Sequence, residues 1–502
     1  MNSKQLTALH PTHLHFSGIC GTAMASLAVL LQKRGHRVTG SDTNVYPPMS
    51  TLLTENGLSV NEGYAAVNLD PAPDLVVIGN ALSRGNPEVE ATLAQGLRYV
   101  SMAALLKEHF IQGNTSLVVA GTHGKTTTTA LLAWVFREAG RDPGFLIGGI
   151  ADNLGTSCHE GQGGCFITEG DEYDTAFFDK RSKFFHYQPQ QLILNNLEFD
   201  HADIFGSLDD LKQAFQLLLR LVPANGLIAA NGDDPVLAEV LQKAHSPIMR
   251  FGLGPENDLQ GTDLQVDGNG MQFRVRSQNL ASPKYRPTTD NRQPTTDNQL
   301  FHLPMLGEHN VRNALGVIVL ARHNDIPDDA IQAAFDGFRG IKRRQELRGT
   351  VRGISVYDDF AHHPTAVRET LAALRLRHPE QRLIAVFEPR SNTSVLKLHE
   401  SELTAALALA NHALLSRPHR REQAPAATRL DPEAVATALQ KRGLQAHAFS
   451  DSGSILQHLA AECRPQDVVV IMSNGKFDNL HQRLLETLAD PDFPNQPSTH
   501  ET

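Results

Sequence analysis

The chain is poor in cysteine, in aromatic side chains and in long apolar runs, and each shortage excludes something. Its four cysteines, Cys20, Cys158, Cys165 and Cys463, are scattered with no Cys-x-x-Cys pair. This rules against a disulfide framework or a cysteine zinc site and fits a reducing cytoplasm. No stretch of 18 apolar residues occurs, and the first 15 residues lack a basic segment followed by an apolar core, so neither membrane insertion nor secretion is expected. A formal net charge of −10 without a long like-charge block leaves no footprint for nucleic acid. Aromatics at 6%, hydrophobic residues at 41% and charged residues at 20% give the profile of a soluble globular α/β enzyme. The 23 histidines are numerous, but most stand alone and read as surface or packed side chains.

What is present is length and alternation. At 502 residues the chain exceeds one hydrophobic core, and roughly three domains are expected. Residues 13–17, a turn at 18–21, an amphipathic helix over 22–33 and a strand over 37–40 make a β-α-β unit, joined by a strand at 75–79 and a helix near 102–110. A strand at 117–120 opens a second α/β region, followed by a helix over 126–138, strands at 166–168, 192–195 and 227–230, and a helix over 208–221. Residues 277–299 are polar, carry a near-duplicated Pro-Thr-Thr-Asp-Asn, and read as a disordered surface loop. A third α/β region has strands at 354–357, 383–387, 413–416 and 468–472. The basic segment 340–349 lacks periodicity and reads as the boundary. The tail after residue 490 reads as a frayed end.

Chemistry concentrates first at Gly121-Thr122-His123-Gly124-Lys125-Thr126, continued by Thr127, between an apolar strand and a helix. A glycine turn exposes backbone N–H groups, a helix N-terminus adds its dipole, Lys125 neutralises phosphate charge and the Thr126 hydroxyl can hold Mg²⁺. The first glycine of the usual nucleotide pattern is missing, because that position is Val119. The turn around Gly18, Gly21 and Thr22, with Ser41 and Asp42 ending the second strand, has the layout of a nucleotide diphosphate site with an acid for a ribose hydroxyl. Glu169-Gly170-Asp171-Glu172 ends a strand expected beside the phosphate strand, where carboxylates suit Mg²⁺ or form a solvated turn. Asp200-His201 reaches the same edge from another strand.

These motifs, together with Gly307 to Ala314, Lys342-Arg343-Arg344 and Asp358 to Pro364, resemble those of the Mur ligases in order and spacing over most of the chain. The resemblance implies an α/β protein of three domains: a Rossmann-like UDP-binding domain (1–112), a central ATPase domain of P-loop type with a mostly parallel sheet (113–341) and a Rossmann-like C-terminal domain for the amine or peptide substrate (342–502). It implies ATP and Mg²⁺ as cofactors. Lys125 and Thr126 would handle the phosphates, Glu169 and His201 would hold Mg²⁺, Asn310 and Asn313 would border the nucleotide, and Arg344 and Asp359 would close over it. By its own chemistry His362 is a candidate for the diphosphate or substrate carboxylate of the UDP-sugar or a polar loop histidine, and Arg390 and Asn392 are candidates to grip a peptide's carboxylates, since an Arg fork matches carboxylate geometry, or to form a surface ion pair.

Residues 18–24, 40–52 and 388–393 look like the branch that adds a peptide. UDP-N-acetylmuramate and the L-Ala-γ-D-Glu-meso-diaminopimelate tripeptide of murein are then the substrates expected of a cytoplasmic monomer or homodimer in cell-wall recycling. The alanine-adding branch is the near alternative, and a non-catalytic nucleotide-sensing regulator is the alternative of another class. Two departures stand out. The turn at 473–479 is less glycine-rich than the branch's usual one. Gln216 stands near the place where other branches carry a carbamylated lysine, and Lys212, one turn earlier, is not assigned that role.

Overall fold

The computed structural model describes residues 12–490 apart from 48, 269, 278–297 and 419–426. The first region folds as a five-stranded, wholly parallel sheet in the order Val60–Glu62, Arg37–Asp42, His13–Ser17, Leu75–Ile78 and Tyr99–Ser101. The helix Thr22–Lys33 packs on it through a continuous buried run from Met24 to Leu31. Under the sheet's carboxyl edge Glu88, fully buried, accepts hydrogen bonds from Ser17 at 2.5 Å, Ser41 at 2.6 Å and Asn68 at 2.7 Å. Burial alone would raise its pKa, but these donors and His15 outweigh it and hold the carboxyl at about 2.

The central sheet has ten strands. Its parallel part runs Gly144–Leu146, Cys165–Gly170, Thr115–Ala120, Gln191–Leu194, Leu227–Asn231 and Ile248–Gly252. Helices cover both faces, so the middle strands are apolar throughout rather than alternating. Beyond Ile248–Gly252 the sheet continues through Leu259–Asp267, which pairs antiparallel with Gly270–Ser277, itself antiparallel to Gln299–Leu303. The expected disordered loop at 277–299 falls almost wholly outside the described residues, but its two ends, Ser277 and Gln299, belong to these last two strands.

The third sheet has six strands in the order Glu346–Val351, Ile354–Asp359, Val468–Met472, Leu383–Phe387, His412–Ser416 and Gln445–Phe449. All pair in parallel except the first, which is antiparallel to its neighbour. The boundary expected over 340–349 is therefore shorter, since its second half is this edge strand. Leu347 there is exposed and the strand is held by backbone pairing, which is why its sequence shows no clean alternation. The expected frayed tail after residue 490 lies outside the described residues.

The regions differ in how they meet. The core under the first sheet is continuous with one face of the central domain. Ser26 Oγ meets Ser157 Oγ at 2.7 Å, and Arg34 pairs with Glu160 at 2.7 Å while stacking over Phe110. The third region keeps its own two cores. It reaches the central domain through Ala373, buried in the central core, and through polar contacts: Thr365 Oγ1 donates to Glu198 at 2.6 Å, Asn392 to Asp203 at 2.8 Å, and Ala202 N to Thr393 Oγ1 at 3.2 Å.

Candidate active site

The carboxyl edge of the central sheet and the facing edge of the C-terminal sheet border one cleft of about 1110 Å³. Between Thr115–Ala120 and the helix Lys125–Glu138, the loop Gly121–Gly124 turns sharply. Gly121 and Gly124 have φ of +133° and +79°. A Cβ on Gly124 would stand 2.7 Å from Asn313 Oδ1, and one on Gly121 2.9 Å from Asn196 O, so only glycine fits either place. Asn196 anchors the loop: its carbonyl accepts from Thr122 N at 3.1 Å and its Oδ1 from His123 N at 2.7 Å. Asn310 and Asn313 are buried behind it, and Asn313 donates to Asn310 at 3.3 Å.

Lys125 Nζ sits at the centre. It donates to Gly121 O at 2.7 Å and to both oxygens of Glu172, at 2.8 and 2.9 Å. Burial would lower the lysine's pKa, but Glu172 and Asp171 outweigh it, so the ammonium is held charged more firmly than usual. Glu172 also meets His201 Nε2 at 2.9 Å. Burial would likewise lower His201, and Glu172 and Asp200 turn the net shift upward.

Of the acids at 169–172, Glu172 pairs with His201, while Glu169 takes other partners. Glu169 is still inside the strand Cys165–Gly170, opposite Val119 in the register, and lines the same cleft close to Lys125. There it accepts from Gly148 N at 2.5 Å and Thr126 Oγ1 at 3.1 Å. Burial raises its pKa more than those donors lower it. Glu172 lies beyond the strand end, where the chain is free to bend toward Lys125. Asp171 is taken up by Lys183 at 2.6 Å.

From the other side, Arg344 enters the cleft between Arg343 and Gln345, both with positive φ. Its guanidinium lies 5.0 Å over the Phe360 ring, and burial depresses its pKa despite the nearby carboxylates of Asp359 and Glu169. Asp359 is buried and accepts from Gln345 N and Ala361 N, both at 2.7 Å, which ties the crossover segment to the third sheet. Sequence reading passed over Glu198. Burial would raise its pKa, but His123 at 3.2 Å and Thr365 outweigh it and bring the carboxyl to about 2. Its ring of His123, His363 and Thr365 joins the phosphate loop to the third domain. The signal available for this side was the polar run Asn195 to Glu198 directly after an apolar strand.

The remaining candidate residues have defined surroundings. His362 lines the central cleft, with Nε2 3.9 Å from Asp200. Ser41 is turned inward to Glu88, since its position on the strand points beneath the sheet. Asp42 folds back on the turn, accepting from Cys20 N and Asn44 N at 2.9 Å each, and so braces the loop instead of presenting a free carboxylate. Gly18 N and Ile19 N donate to Ser41 O, while Thr22 starts the following helix. Arg390 lies 3.5 Å from Glu388 and packs on Gly475, and Asn392 is occupied by Asp203, so neither peptide-gripping candidate is free as placed. Lys476 stacks 3.4 Å over Tyr46 of the first domain, and Asp478 accepts from Ser452. Lys212 pairs with Glu239 at the surface, away from the cleft.

Comparison with known proteins settles the family. The Mur ligase family catalytic domain matches residues 13–113, the Mur ligase middle domain 119–321, and the Mur ligase glutamate ligase domain 343–475. The chain belongs to the Mur ligase family. It is 41% identical over 478 residues to the UDP-N-acetylmuramate–L-alanyl-gamma-D-glutamyl-meso-2,6-diaminoheptandioate ligase of Escherichia coli, spanning 95% of this chain and 98% of the relative. The Haemophilus influenzae ligase of the same name is 39% identical over 477 residues, 95% of this chain and 99% of the relative. A crystal structure of a murein peptide ligase from Psychrobacter arcticus is 40% identical and superposes with a TM-score of 0.72 over 95% of this chain and 99% of that one. The three-domain α/β architecture and the ATP-dependent ligase class of this chain follow. No helix among the described residues is long and apolar enough to cross a membrane.

Proposed function

We propose that this chain joins the carboxylate of UDP-N-acetylmuramate to the free α-amine of the L-Ala-γ-D-Glu-meso-diaminopimelate peptide, with ATP converted to ADP and phosphate. The observation that carries the reading is the single cleft in which a phosphate loop, Arg344 and the edge of a separate third domain face one another. Whole-length identity to relatives named for that peptide supports the substrate. The three sheets support a division close to residues 1–112, 113–341 and 342–502, with 340–345 as the crossover.

In this reading the loop N–H groups from Thr122 to Thr126 cradle the triphosphate, and Lys125 exchanges its Glu172 partner for phosphate oxygens. The muramate carboxylate attacks the γ-phosphorus and ADP leaves. The amine then attacks the acyl phosphate and phosphate departs with the C–O bond. Both reactants are anionic, so Lys125 and Arg344 act by neutralising charge that develops as they approach, in a site that keeps them in line. The Arg344 guanidinium, with no hydrogen-bond partner among the described residues, is available for a phosphate or carboxylate. Glu172, Glu169, Thr126 and His201 offer carboxylate, hydroxyl and imidazole donors on one side of Lys125, a set that fits Mg²⁺. Mg²⁺ held there supplies charge screening to the triphosphate. The UDP moiety is assigned to the backbone turn Gly18 to Thr22, which Asp42 braces.

Largely polar contacts between the third domain and the central one, with Ala373 the buried third-domain residue that joins the central core, support closure about 340–345 to bring the amine to the acyl phosphate. Phosphate release measured with ATP, Mg²⁺ and UDP-N-acetylmuramate tests the proposal. Release that requires the tripeptide supports it. Release with neither tripeptide nor L-alanine, or with neither sugar nor peptide present, contradicts it.

A further inference from the structure

Far from the cleft, the third domain gathers three imidazoles. His412 begins the strand His412–Ser416, at the end of the sheet opposite the active-site edge, and His447 lies in the neighbouring edge strand Gln445–Phe449. The register pairs His412 with Gln445 and Leu414 with His447, so the side-chain alternation puts both histidines on one face. The helix Ser452–Glu462 packs on that face and brings His458 to the same point. One ring nitrogen from each of the three lies within 4.8 Å of the other two. The ring centroids are 5.0 to 5.4 Å apart.

The hydrogen bonding of this cluster is incomplete. His412 is only 2% exposed, yet neither of its ring nitrogens has a partner, and His458 Nε2 is also buried without one. Leaving such groups buried and unpaired is unfavourable, and the edge-on and tilted packing of the three rings does not relieve it. A shared cation accepts all three lone pairs at once. His447 is exposed, so the cluster opens to solvent on one side and leaves room for water as a fourth ligand.

We propose that His412, His447 and His458 form a binding site for a borderline divalent transition-metal ion, with Zn²⁺ as the representative. An all-imidazole donor set suits Zn²⁺, Cu²⁺ or Ni²⁺ and does not suit Mg²⁺, so the site is chemically separate from the one at Lys125. Tetrahedral coordination at metal–nitrogen distances near 2.0–2.1 Å places ligand nitrogens about 3.3 Å apart, which modest rotamer adjustment of His447 and His458 achieves. The ion pins the edge strand to the helix that covers it and takes no part in ligation chemistry.

Zn²⁺ titration of the untagged full-length protein tests this, run in excess Mg²⁺ and a non-hydrolysable ATP analogue so that the cleft is occupied. His447→Gln and His458→Gln are compared with the parent. Each variant is expected to lose one Zn²⁺ equivalent per chain, or to bind it at least tenfold more weakly, while keeping its far-ultraviolet circular dichroism and its Mg²⁺-dependent phosphate release. Zn²⁺ should raise the thermal midpoint of the parent and not of the variants. Equal stoichiometry and affinity in all three proteins overturns the proposal, as does loss of the equivalent in only one of the two variants, because a three-ligand site needs both.

Discussion

Replacing Glu172 by Gln removes the carboxylate that Lys125 and His201 share, at 2.8 and 2.9 Å, while nearly preserving its shape. Glu172 is 1% exposed and Lys125 14%, so solvent does little to compensate the ammonium left behind. Breaking one side of a buried pair costs about 3–5 kcal/mol, and Asp171 together with the retained amide oxygen brings the expectation to about 3 kcal/mol. For a domain of this size that is a fall of roughly 6–12 °C in the midpoint of thermal unfolding.

The loss should depend on pH with a definite sign. The folded pKa of His201 is raised by this contact, so its share of the stability is fully present below the ordinary histidine value of 6.5. It disappears as pH rises through the raised folded value. The Lys125 share persists across that range. The gap between parent and Glu172→Gln, measured by calorimetry from pH 5.5 to pH 9, should therefore shrink at alkaline pH without closing. A variant as stable as the parent at both ends would refute the buried pairing.

Three other outcomes are expected. Gly124→Ala places a Cβ 2.7 Å from Asn313 Oδ1 at a φ of +79°, and the strain of at least about 1–2 kcal/mol should weaken ATP binding tenfold or more by calorimetric titration. Glu88→Gln should destabilise the first domain by on the order of 3 kcal/mol at neutral pH, from a carboxyl lowered from 4.5 to about 2. That stability is present above pH 4.5 and lost as pH falls toward 2, so denaturation curves of parent and variant should converge over that window. Arg344→Ala should lower kcat/KM by about 10²–10³ while the unfolding midpoint drops by less than the equivalent of 1 kcal/mol, since its main internal contact is the Phe360 ring.

What the sequence disclosed depended on whether function rests on local pattern or on register. Gly-x-x-Gly-Lys-Thr between an apolar strand and a helix is complete within a few residues, and the structure has that strand, turn and helix within a residue or two of expectation. Glu169, still inside its strand, faces Thr126, while Glu172, two residues past the strand end at Gly170, reaches Lys125 and His201, and spacing alone does not show which partner each takes. Ser41 and Asp42 sit where a ribose contact is expected by spacing, but strand alternation sends one beneath the sheet and backbone donors capture the other. The antiparallel extension over 259–303 and the edge strand at 346–351 were hidden because partly exposed strands carry few apolar alternations. His362 shows the remaining difficulty: its domain is visible in the sequence, but which neighbour that domain faces is set by packing between domains.

The most direct measurement of the central claim offers the purified protein equimolar L-alanine and L-Ala-γ-D-Glu-meso-diaminopimelate with UDP-N-acetylmuramate, ATP and Mg²⁺, and identifies the products by mass. The account predicts the UDP-muramyl tripeptide as the dominant product, with one phosphate released per molecule formed. UDP-N-acetylmuramoyl-L-alanine as the dominant product would contradict it.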